Sequence, residues 1–157
     1  MGLVSRREQI KMTDEERDAF LRERHVMNVA THGADGRIHL VAMWYGFVGD
    51  DQQLAFWTYG KSQKIVNLER NPQLTALVES GESYDQLKGV ELVGTGRVVR
   101  DREVIQAIGE STWERYTGPV DDAARQGVGV VGAKRVAVLI EVEKWVTWDH
   151  SKLGGRY

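Results

Sequence analysis

Thr58-Tyr59-Gly60-Lys61-Ser62-Gln63-Lys64 is the stretch whose residue types and spacing could do chemistry. It reads as the end of a strand, a glycine break, and a short helix from Lys61 to Arg70. Asn71-Pro72 closes that helix, because the residue before a proline is biased away from helical backbone. Lys61 and Lys64 then fall in the first helical turn, where the macrodipole disfavours each cation by roughly a few tenths of a kcal/mol. A phosphate docked on the free N–H groups of that turn, held by the Ser62 hydroxyl and both ammonium groups, would make the arrangement favourable. Two solvated surface lysines are the other reading, and this segment alone does not separate them.

Met43, Trp44 and Tyr45 on one predicted strand, and Phe56, Trp57 and Tyr59 on the next, gather aromatic and thioether groups beside that turn. A planar ring system could lie across them, and a core or a subunit interface would explain them equally well.

Other chemistries lack their residues. The chain has no cysteine, which excludes disulfides, thiolate catalysis and Cys-ligated metal centres. His25, His32, His39 and His150 show no metal-ligand spacing, so no metal is expected. Gly127-Val128-Gly129-Val130-Val131-Gly132 matches G-x-G-x-x-G as letters. The dinucleotide fingerprint needs a strand before it and a helix after it, whereas a loop precedes and a strand follows here. G-x-S-x-G, the P-loop lysine motif and H-E-x-x-H are absent. A net charge of -2 offers no general attraction to nucleic acid or anionic membranes, so any anion site is local. No stretch approaches the roughly 18 apolar residues of a spanning helix, and the polar N-terminus is unlike a signal peptide, so the expected location is cytoplasmic. The Met1-Gly2 start has Arg6 where myristoylation expects Ser or Thr.

The elements that must position these residues follow from periodicity. Residues 1–157 fit one domain, with 1–24 as a peripheral segment and helix. Thr13 and Glu16 form a capping box opening a charged helix to about Arg24, expected on the surface. VMNVAT, IHLVAMWYGF and QLAFWTY read as a three-stranded antiparallel meander. The middle strand is apolar on both faces, Ile38/Leu40/Ala42/Trp44 and Val41/Met43/Tyr45/Phe47. One face fills a barrel and the other needs a cover, for which a second copy of the chain is the natural candidate. QLTALVES and GVELVGTGRVVR are the next strands, the latter bending at Gly94 and Gly96. A helix capped by Asp101 runs to about Tyr116, the glycine-rich 118–132 stretch reads as loop, and KRVAVLIEVEKWVTW is a last long strand. The fold class is mainly β, a barrel with helices.

Four runs carry a resemblance over nearly the whole chain: NVATHGADGRIHLVAMWYGF, FWTYGKSQKIVNLERNPQLTALVE, LKGVELVGTGRVV and WVTWDHSKLGG. Together they resemble the pyridoxamine 5′-phosphate oxidase-like FMN-binding split-barrel superfamily, and within it the small actinobacterial enzymes that use coenzyme F420. K-S-x-K followed by N-L-x-x-N-P is the most specific part. The resemblance implies a homodimer with a flavin-type cofactor at the subunit interface and the phosphate around Lys61, Ser62 and Lys64. The ring would lie along Ala42, Met43 and Trp44 and near Trp57, Thr58 and Tyr59, with Trp148 and Lys152 reaching it from the partner subunit. FMN-using members carry an Arg on the meander, whereas Val41 to Phe47 here holds no basic residue, so F420 is expected and FMN is the alternative. The implied activity is a reductase passing a hydride to an unsaturated small-molecule substrate, with Tyr45 and Tyr59 as candidate proton donors. An FMN oxidase or flavin reductase, and a non-catalytic F420 carrier, remain open.

Overall fold

A computed structural model describes residues 4–155 of the chain. The Met1-Gly2 start lies outside them.

A short helix α1 (Arg6–Gln9) precedes α2 (Asp14–Arg22), whose capping box forms as expected: Glu16 N–H donates to Thr13 Oγ1 and Thr13 N–H to Glu16 Oε2. α2 buries only Phe20 and Leu21, which anchor it in the main core, with Arg17 half-buried over Trp145.

Seven antiparallel strands make one sheet: β1 (Met27–His32), β2 (Ile38–Met43), β3 (Gly46–Val48), β4 (Gln53–Tyr59), β5 (Gln73–Ser80), β6 (Lys88–Val99) and β7 (Arg135–Asp149). Their order is β2-β1-β5-β6-β7-β4-β3. Consecutive β2 and β3 thus sit at opposite edges, yet only Trp44 and Tyr45 link them. Such a link reaches at most about 11 Å, so the sheet has to curl until its edges approach. This is the split barrel that the sequence implies. β6 bends at a register shift between Val93 and Gly94, where a Cβ on Gly94 would stand 2.0 Å from the Glu141 carbonyl.

The expected continuous strand from Ile38 to Phe47, and with it the three-stranded meander, does not form. Side chains of α4 (Arg102–Tyr116) take the backbone groups that a strand would pair: Tyr45 N–H donates to the Tyr116 hydroxyl, and Arg115 donates to the Tyr45 carbonyl. β2 pairs with β1 and β3 with β4, so Met43 and Trp57 are not on neighbouring strands.

Two further expectations change. The helix α3 begins at Gln63 and runs to Arg70, with Ser62 as N-cap; Lys61 belongs to the turn before it, closed by Ser62 N–H donating to the Tyr59 carbonyl. Only Lys64 lies in the first helical turn. The glycine-rich stretch is not loop but helix α5 (Asp122–Gly132), started by Asp121, whose carboxylate accepts from Ala124 N–H.

β4 is covered on both faces. Leu54 and Phe56 point into the barrel with Met27, Ile65, Val90 and Leu92. Ala55 faces outward with Ala137 and Leu139, against Ile105 and Ile108 of α4. Alternation therefore puts Thr58 inside and Trp57 and Tyr59 outside.

Candidate functional site

Inside the barrel mouth, Lys64 is buried and donates from Nζ to Thr58 Oγ1 at 3.0 Å. Burial, and after it the charge of Arg135, hold its ammonium below the ordinary lysine pKa. No carboxylate partners it in an ion pair among the described residues. Beside it the N-cap Ser62 makes no capping hydrogen bond, and its Oγ is buried without a partner. A hydroxyl left alone at a helix N-terminus, next to a desolvated cation, lacks an acceptor. An anionic oxygen would supply one, so the residues present fit a phosphate.

Outside, Arg135 begins β7 directly opposite Tyr59. Its guanidinium lies 4.7 Å from the Trp57 ring centroid and 4.9 Å from that of Tyr59, and its Nε is buried with no partner. Two cavities meet at this arginine. One, of about 570 Å³, is lined by Ala42, Met43, Trp44 and Trp57 on the sheet side and by residues of α4 and α5 on the other. The second, of about 690 Å³, is lined by Tyr59, Lys61, Arg100, Arg102, Lys134 and Arg135, with no carboxylate in its lining. Arg100 pairs with Glu69, and Arg102 donates to the carbonyls of Gly132 and Ala133 at the end of α5.

The residues expected at a cofactor site thus divide. Ala42, Met43, Trp44 and Trp57 come together in the first cavity, and Tyr59 and Lys61 in the second. Thr58, Ser62 and Lys64 line neither and form the inner polar group. Trp148 packs over Gly89, and Lys152 donates to the Lys11 carbonyl and to Glu16 within its own chain. Neither residue lines these cavities. Of the two tyrosines, Tyr45 is fully buried, donates its hydroxyl to the Leu21 carbonyl at 2.8 Å, and is pushed well up in pKa by that burial. Tyr59 is 58% exposed at the mouth of the basic cavity.

Sequence reasoning missed Arg135. The absence of a basic residue between Val41 and Phe47 does not leave the aromatic site without a guanidinium, because β7 supplies one. The Lys134-Arg135 pair heading the last apolar run was the available signal. Also missed was the helical wall of the first cavity, hidden in a glycine run that looked like loop.

The family description "Pyridoxamine 5'-phosphate oxidase" matches residues 13–149, most of the chain. This chain belongs to that family. No curated protein matches it. Among solved structures, a conserved hypothetical protein from Mycobacterium tuberculosis is 39% identical, with a TM-score of 0.91 over 98% of this chain and 95% of that one. A structure titled F420 Reductase is 22% identical, with a TM-score of 0.59 over 82% of this chain and 94% of its own. The heme storage protein HutZ from Vibrio cholerae is 19% identical, with a TM-score of 0.66 over 90% and 99%. The last two likenesses show the family's fold.

Proposed function

We propose that this chain is an oxidoreductase that binds coenzyme F420, acts as a homodimer and reduces an unsaturated, electron-poor small molecule. The observation that carries the reading is Ser62 Oγ, buried without a partner at the N-terminus of α3 beside the desolvated Lys64. Buried polar atoms without partners are rare and demand an explanation, and a phosphate-bearing cofactor provides it. Membership of the pyridoxamine 5′-phosphate oxidase family supports a flavin-type group. The five cations around the second cavity exceed what one phosphate monoester requires, which suits a cofactor with several negative charges along its side chain. The F420 reductase of the same fold adds to that preference.

The chemistry that reduced F420 supplies when bound is a hydride. The protein's part is to hold the phosphate with Lys61, Ser62 and Lys64, and to offer Ala42, Met43, Trp44 and Trp57 as an apolar bed that excludes water. Tyr59 is the exposed hydroxyl at the site able to deliver a proton, whereas that of Tyr45 is committed to Leu21. The dimer is supported by β2, an edge strand that leaves Ile38 57% and Leu40 65% exposed beside Trp44.

FMN is the second reading, favoured by the Arg135 guanidinium over Trp57 and Tyr59. Titration of the protein with each cofactor decides. F420 is expected to bind at least tenfold tighter, about 1.4 kcal/mol; equal or reversed affinities would favour FMN. Light scattering is expected to give the mass of two chains, and a stable monomer would remove the interface. Turnover of reduced F420 with electron-poor alkenes separates an enzyme from a carrier.

A further inference from the structure

The first cavity has a wall for which the cofactor reading has no use. Gly109, Thr112 and Trp113 of α4 and Gly127, Val128 and Val131 of α5 face Trp44 and Trp57 across it. The two helices are drawn together over the aromatic floor by a glycine. A Cβ on Gly109 would come within 2.5 Å of a Val128 methyl and 2.8 Å of the Trp57 ring. The cavity that remains is a slot with an indole floor and apolar helical roof. Of its polar lining groups, Thr112 donates its hydroxyl to the Ile108 carbonyl of its own helix. Its one charged lining residue is Arg135, whose Nε has no partner. Lys64 adds positive charge nearby, as Arg135's effect on its ammonium records, so the missing acceptor is better negative than neutral.

We propose that this slot between Trp57 and the α4–α5 pair binds a flat, apolar molecule bearing one carboxylate, an aromatic or polycyclic acid, with the carboxylate paired to Arg135. The apolar body lies against the helical wall of Trp113, Val128 and Val131, across the cavity from the Ala42, Met43, Trp44 and Trp57 bed. The guanidinium, stacked on Trp57 and Tyr59, offers its unpartnered Nε–H to the acid. This names the substrate class of the oxidoreductase and rests on the cofactor reading only for that role; binding of the acid stands apart from it.

The test is calorimetric titration of the cofactor-free protein with 2-naphthoate and, as a neutral isostere, 2-naphthamide. The acid is expected to bind at least about tenfold tighter than the amide, the margin of a charge-assisted hydrogen bond. Arg135→Gln should remove that difference and leave both ligands binding like the amide. Gly127→Leu should weaken both, because Gly127 lines the slot and a Cβ there meets nothing within 4 Å. Lys64→Met, which removes a charge near Arg135 but no slot lining, should weaken naphthoate only slightly and F420 by the larger factor. Equal affinity for acid and amide, or indifference to Gly127→Leu, overturns the proposal. Displacement of naphthoate by saturating F420 would show the slot to be the ring's own bed and overturns the substrate role. If F420 fails to bind at all, the cofactor reading falls, and the naphthoate arms still decide this one.

Discussion

Arg115 and Arg135 are both guanidinium groups laid over aromatic rings, and they differ in what their N–H groups meet. Arg115 stands over Tyr45, Phe47 and Tyr116 and donates to the carbonyls of Leu21, Arg22, Glu23 and Tyr45. Three of those carbonyls lie at the C-terminal end of α2, where a cation is favoured, and the fourth belongs to the break between β2 and β3. Arg135 stands over Trp57 and Tyr59 with its Nε buried and unpartnered, between two cavities. Stacking alone therefore does not mark an arginine as functional. The count of satisfied donors separates them: Arg115 is a clasp that closes the barrel, and Arg135 keeps its Nε unpartnered, the donor for which a ligand is proposed.

The largest effect expected from this contrast is on stability. Arg115→Ala should lower unfolding free energy by about 3 kcal/mol, because several charge-assisted bonds vanish and the carbonyls of α2 and Tyr45 lose their donors. Arg135→Gln should change it by less than about 0.5 kcal/mol in a denaturant titration. Comparable losses at both positions would erase the distinction.

Glycines on the two sides of the apolar slot extend the contrast at smaller scale. Gly109→Ala puts a methyl against Val128 and the Trp57 ring and should destabilise by about 1–3 kcal/mol through overpacking. Gly127→Ala, in open space on α5, should stabilise by up to about 1 kcal/mol through helix propensity. Thermal melts of both variants check the helical roof.

The smallest effect is a pH dependence. The folded-state pKa of Lys64 is lowered, so between that value and the unfolded 10.5 the unfolded chain binds more protons. The cost of burying its charge is fully present below the folded pKa and is relieved as pH rises through it. Stability of the parent relative to Lys64→Met should therefore rise with pH in that window. A flat difference would mean that the ammonium is not desolvated.

Much of this was legible in the sequence, and the failures have physical causes. The capping box at Thr13, the exact span of QLAFWTY and the bend at Gly94 follow from local rules. The break at Tyr45 was not legible, since Arg115 and Tyr116, about seventy residues away, impose it on a run with strong strand character. Helix α5 was hidden because glycine disfavours helix, and only packing on α4 overrides that preference. At the candidate site, K-S-x-K pointed to the turn where Ser62 Oγ and Lys64 are buried but placed Lys61 on the helix, where it is not. Arg135 escaped because its importance lies in pairing across β4 and β7, opposite Tyr59, which no local pattern reveals.

The central claim is that the group around Ser62 and Lys64 is built for the phosphate of a flavin-type cofactor. Equilibrium titration of F420 into Lys64→Met beside the parent, with melting curves of both proteins, tests it most directly. Affinity should fall by about 1.5–3 kcal/mol, the worth of a hydrogen bond to a charged group, while the melting temperature stays level or rises as a desolvated cation is removed. A variant that binds F420 and FMN as tightly as the parent would contradict the claim.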